Sequence, residues 1–142
     1  MARGFTLIEV VTVVLIIGIV AAVGTPSLID ALDKLAVARA VNETTSFYRT
    51  ARLAAVLQGR RVRVEFSSDE LRAVFEGSPD STFLILSGPA AHRVSMSASR
   101  PSVRFQPTGL GYGGANAKLV LRRGDAADSL ATSRLGRIRR IR

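Results

Sequence analysis

Three patterns of apolar and polar positions follow one another along the chain. From Phe5 to Gly24 nearly every residue is apolar, with Thr6, Glu9 and Thr12 as polar exceptions. From residue 27 to 58 apolar residues recur at spacings of three and four, and no glycine or proline interrupts them. After Gly59 the spacing falls to two, and turn residues divide the chain into short runs. These periods predict an apolar helix, an amphipathic helix and a set of strands, in that order.

The first run is long enough to matter. About 20 helical residues at ~1.5 Å each cross a hydrocarbon core of roughly 30 Å. A helix is also the conformation that satisfies its own backbone in lipid. Arg3 precedes the run, and the next basic residue is Lys34. That asymmetry predicts a cytoplasmic N-terminus with the remainder outside. A secretory signal cleaved near Ala21, Ala22 and Gly24 is one alternative, and a plain single-span anchor is another. Neither accounts for Glu9, a carboxylate placed inside the apolar run, where an ion needs a partner. A free α-amine on a neighbouring subunit is a suitable one.

In the second run Val37, Val41, Thr44, Tyr48, Ala51 and Ala55 form the apolar stripe, and Phe47, Leu53 and Leu57 are expected to broaden it. Pro26 is expected to kink the helix or loosen one turn, and Gly59 to stop it. Strands are expected at 61–66, 71–75, 82–86, 93–97, 102–105 and 118–122, with 130–133 and 136–141 completing the set. Gly77-Ser78-Pro79, Gly88-Pro89, Pro107-Thr108-Gly109 and Gly111 to Gly114 read as connections. One face of such a sheet packs on the helix stripe, which makes the fold class α+β with the helix first.

Composition narrows the chemistry. The chain has 142 residues, no cysteine and one histidine, His92. Disulfides, thiolate nucleophiles, and Cys-based or multi-histidine metal sites are therefore excluded. Twenty basic residues against 11 acidic ones give a net charge of +9, which suits an anionic partner. The glycine-rich stretch from Gly109 to Gly114 lacks the lysine and serine of a phosphate loop and is read as a β connection. Asp69, Glu70, Asp125 and Asp128 follow no calcium-loop spacing and are read as turn residues. His92 is read as a surface or turn residue. No catalytic residues, metal, cofactor or small-molecule substrate are expected, and the chain is not expected to be an enzyme.

Gly4-Phe5-Thr6-Leu7-Ile8-Glu9-Val10 resembles the prepilin cleavage and methylation motif of type IV pilins and type II secretion pseudopilins. The resemblance implies a leader at 1–4, a long helix at 5–58 with its transmembrane part at about 5–25, and a β-rich head with a basic tail at 59–142. It implies cleavage between Gly4 and Phe5 by a prepilin peptidase, N-methylation of Phe5, and registration of subunits by Glu9. Pro26 sits where these proteins tend to have a helix-perturbing proline. Within the head, Val103-Arg104-Phe105-Gln106-Pro107-Thr108-Gly109, Lys118-Leu119-Val120-Leu121 and Gly136-Arg137 resemble minor pseudopilins of the GspH/FimT type. That branch implies a β-sandwich-like head, other major and minor pilins or pseudopilins as partners, an inner-membrane assembly platform, and residence in the bacterial inner membrane before incorporation into a fibre.

The tail from Arg134 to Arg142 holds five arginines and no acid. In strand geometry Arg137 and Arg139 share one face and Ile138 takes the other. Gly136-Arg137-Ile138-Arg139 is similar to the Gly-Arg-x-Arg motif with which FimT-like members contact DNA during uptake, and Arg140 and Arg142 would widen the patch. A solvated or protein-contacting basic surface is the competing reading. Arg60, Arg61 and Arg63 are discounted because Glu65, Asp69 and Glu70 lie close by in sequence.

Overall fold

The computed structural model describes residues 6–77 and 79–141, so Gly4, Phe5 and Arg142 lie outside the described residues. Its contacts divide the chain into two compact units, Met1–Leu32 and Asp33–Arg142.

Helix α1 runs over Leu7–Gln58 and continues through Pro26. Gly59 ends it for a physical reason. Its φ of 59° is in the left-handed region, where a side chain is unfavourable. There the Gly59 N–H donates to Val56 O at 3.3 Å and the Arg60 N–H to Ala55 O at 3.2 Å, satisfying two carbonyls that a helix end leaves orphaned.

Within the first unit, Leu7, Ile8, Val10, Val11, Val13, Val14 and Leu15 are all exposed. Within the second, the stripe is inverted. Val37, Val41, Thr44, Tyr48, Ala51 and Ala55 are each at most 3% exposed, as the spacing predicts, and Phe47 joins them. Leu53 and Leu57 do not: they are 55% and 72% exposed. They fall off the arc that faces the sheets, so their apolar character carried no information about packing.

The strands form two antiparallel sheets. The first contains β1 (Val62–Phe66), β2 (Glu70–Phe75), β3 (Ser81–Ser87), β5 (Ser102–Phe105) and β6 (Gly111–Tyr112), in the order β3-β2-β1-β5-β6. The second contains β4 (Ser95–Ala98), β7 (Lys118–Arg123), β8 (Ala126–Thr132) and β9 (Ile138–Ile141), in the order β4-β7-β8-β9. The imperfect alternation of β2 has a cause. Its pairing with β3 shifts register between Ala73 and Val74, so Ala73, Val74 and Phe75 are buried in succession.

Four strands depart from the periodicity by two residues or more. Gly111 and Tyr112, expected in a connection, pair with Phe105 and Arg104 as the short β6. Strand β4 begins two residues late because Pro89–His92 forms a 3-10 turn closed by Arg93 at φ 56°. Strand β8 begins four residues early, at Ala126, because small residues there satisfy the ladder without a hydrophobic signal. Strand β9 begins at Ile138 because Gly136, at φ 69°, is in the preceding turn.

One core unites the second unit. Val62, Val64, Leu71, Val103 and Phe105 of the first sheet meet Leu119, Leu121 and Leu130 of the second and the helix stripe. Tyr48 meets Phe105 edge-on, with ring centroids 4.8 Å apart and planes at 75°. Such pairs contribute about 1 kcal/mol beyond their buried area. Alanines at 36, 40, 51 and 55 let the backbones of helix and sheets approach closely.

Polar ties rim the same stretch of α1. Asp33 pairs with Arg123 at 2.8 Å, Glu43 lies 2.7 Å from His92 Nε2, and Arg52 Nε donates to Gly109 O at 2.8 Å.

Candidate functional site

Of the described residues singled out by sequence, Glu9 lies at the start of α1, Pro26 within α1, and Arg137, Arg139 and Arg140 at the end of the second sheet.

At the start of α1, Thr6 is the cap. The Glu9 N–H lies 3.4 Å from Thr6 Oγ1 and 3.1 Å from Thr6 O. Thr6-Leu7-Ile8-Glu9 thus has the spacing of a capping box, with Glu9 three residues past the cap. An acid in the first turn also faces the positive end of the helix dipole. Local structure therefore tolerates Glu9 within an apolar helix. Thr12 hides its polarity differently: its hydroxyl donates to Ile8 O at 2.7 Å. The helix is long and apolar enough to cross a membrane.

At the other end, Gly136 shapes the tail. A Cβ there would collide with Gly109 O and lie 2.7 Å from Arg52 Nε, so both conformation and space require glycine. The turn closes with the Ser133 N–H donating to Arg137 O at 2.9 Å. Beyond it Arg137 and Arg139 are exposed and Ile138 is buried. Arg140, grouped with them by sequence, differs in setting: its guanidinium pairs with Asp128, whose side chain is 5% exposed. Asp128, read from sequence as a turn residue, lies in β8 and also accepts from the Ser129 N–H at 2.8 Å.

Two neighbours of the arginines escaped sequence reading. Across the second sheet Lys118 pairs with Ala131 and Ala131 with Arg139, while Val120, Ser129 and Ile141 form the next row. Lys118 and Arg122 are both exposed. Long basic side chains on β7 and β9 therefore flank small ones on β8. The alternation of Lys118, Val120 and Arg122 was the available signal, but their distance in sequence from Arg139 concealed the relation.

The first sheet handles its arginines in the opposite way. Arg63 bonds to Asp80 at 2.6 Å and to Glu65 at 2.9 Å, and Arg104 to Glu76 at 3.1 Å. Tyr112 also donates to Glu76. The Gly77 N–H, and after it Arg63, hold the Asp80 carboxyl below its usual range. Arg60 and Arg61 stack over Phe75 and Tyr112 at 4.6 and 5.4 Å. Among the described residues, no three His, Asp or Glu side chains converge on a metal-sized site.

Comparison with known proteins agrees with this architecture. The family described as type II transport protein GspH matches residues 40–136, and the prokaryotic N-terminal methylation motif matches residues 1–25. Two fimbrial proteins of Pseudomonas aeruginosa are each 37% identical over 93 residues, which is 66% of this chain and 59% of theirs. Two crystal forms of the Pseudomonas aeruginosa type IV minor pilin FimU share the fold. One superposes with TM-score 0.65 at 17% identity, over 75% of this chain and 88% of that one. The other gives 0.61 at 16% identity, over 73% and 91%. With the family match spanning most of the α1 stripe and the β-rich head as far as Gly136, the chain belongs to the GspH family, within the superfamily of type IV pilins and type II secretion pseudopilins.

Proposed function

We propose that this protein is a minor structural and assembly component of a type II secretion pseudopilus or a type IV pilus. The observation that carries this reading is the change of setting along α1. One helix offers an exposed apolar segment first and a segment packed into a head second. Such a helix is suited to wait in the inner membrane and then to join a bundle of like helices in a fibre. Prepilin peptidase would cut between Gly4 and Phe5, and the new amine would meet the Glu9 carboxylate of a neighbour. The chain would act beside other major and minor pilins on an inner-membrane platform, with its head outside the cytoplasm.

The test is expression of the full chain in a bacterium carrying a prepilin peptidase and a fibre-forming system. Intact mass should show loss of residues 1–4 and gain of one methyl group. Glu9→Leu should be processed normally yet be depleted from sheared fibres. An uncleaved wild-type chain, or fibres that take up Glu9→Leu as readily as wild type, would remove the proposal.

A second reading, DNA contact during uptake, is favoured by the exposure of Arg137 and Arg139, neither of which makes an ion pair among the described residues. Arg140 supports it less, being engaged by Asp128.

A further inference from the structure

We infer that the outer edge of β9 is a docking site for an acidic, extended strand of a different protein. Three observations converge on it.

The first is the open ladder. Strand β9 pairs on one side with β8 and ends the sheet. The Ser133 N–H bonds to Arg137 O, and antiparallel pairing alternates, so Ala131–Arg139 and Ser129–Ile141 are the bonded pairs that follow. The N–H and C=O groups of Ile138 and Arg140 then face away from β8. An added strand would pair with them.

The second is shape. A surface groove of about 620 Å³ lies over the β8–β9 hairpin and reaches this edge strand, lined by Ala131, Leu135, Arg137, Arg139, Arg140 and Ile141 among others. Leu135 and Ile141 are 60% and 46% exposed. Apolar side chains at both ends of a basic row suit a peptide that alternates apolar and acidic residues better than they suit a sugar-phosphate chain.

The third is charge. Arg137 and Arg139 share one exposed face of the edge and have no carboxylate partner among the described residues, whereas Arg140 is engaged by Asp128. The same two arginines disfavour a second copy of this chain. Edge-to-edge pairing of two β9 strands would bring like charges together between molecules of net charge +9. Repulsion of self and attraction of an acidic strand are the two halves of specificity. The inference does not depend on which machine the protein serves.

The experiment uses the full chain in detergent micelles and a short synthetic peptide alternating valine and glutamate. Binding is measured by fluorescence anisotropy, and exchange of the Ile138 and Arg140 amides by NMR. The expected result is saturable binding that slows exchange at both amides. Arg137→Ala with Arg139→Ala should weaken it about tenfold with unchanged thermal unfolding, as loss of two cross-strand ion pairs predicts. Methylation of alternate peptide nitrogens should abolish it. Absence of binding would overturn the inference. So would equal binding of the methylated peptide, which would show charge attraction alone. Tighter binding of duplex DNA with the same arginine dependence would transfer the site to nucleic acid.

Discussion

Valine at position 13 and valine at position 41 lie on one helix, yet the first is 50% exposed and the second 2%. The same contrast holds for the two back-bonded threonines. Thr12 and Thr44 each donate to the carbonyl four residues earlier, at 2.7 and 2.8 Å, but Thr12 is exposed and Thr44 buried. Intrahelical bonding removes a hydroxyl from the solvent's account whether the surroundings are lipid or protein. What separates the halves is therefore the source of the apolar environment. The second half finds it in two sheets of its own chain, while the first must find it in a membrane or in other subunits.

That contrast predicts separable lesions. The largest effect is expected from Val13→Asp combined with Ile17→Asp. Two charges within the span cost about 6 kcal/mol of insertion. The protein should leave the membrane fraction while the thermal unfolding of its head stays unchanged. Retention in the membrane would break the comparison. Val41→Asp is the reciprocal change. A carboxylate buried at the centre of the stripe should cost about 4 kcal/mol of head stability, read from denaturant unfolding, with membrane fractionation unaffected.

Gly136→Ala sharpens the second half further, because Gly136 packs where Arg52 of α1 reaches Gly109. Left-handed strain and overlap together should destabilise the head by ~3 kcal/mol. A neutral result would mean that this turn relaxes without disturbing the helix.

The smallest effect concerns Tyr48. Burial pushes its phenol up to about 12, opposed by the Arg52 charge and by the Thr132 hydroxyl. The Tyr48 hydroxyl makes no hydrogen bond of good geometry among the described residues, and the Thr132 hydroxyl is already committed to Ala115 O and the Ala117 N–H. The folded state thus disfavours the phenolate. Stability is full below the ordinary tyrosine value of 10.0 and is lost as pH rises through about 12. Tyr48→Phe should recover about 2 kcal/mol on that alkaline limb and change little at neutral pH. Tyr112, also raised by burial and then by Glu76, should leave a weaker slope of the same sign. An unchanged alkaline limb in Tyr48→Phe would show that this hydroxyl is solvated.

Sequence alone determined what local chemistry dictates. The apolar run, the stripe from Val37 to Ala55, the stop at Gly59 and the face shared by Arg137 and Arg139 all follow from periodicity or backbone freedom. The Gly4-to-Val10 motif was legible for the same reason, being contiguous. Tertiary structure decided the rest because it depends on partners distant in sequence. Leu53 and Leu57 look like core residues until the sheets prove to lie elsewhere on the helix. Tyr112 looks like a loop residue until Arg104 pairs with it. Arg140 looks like Arg139 until Asp128, in the neighbouring strand, takes its charge and leaves the other two arginines exposed at an open edge.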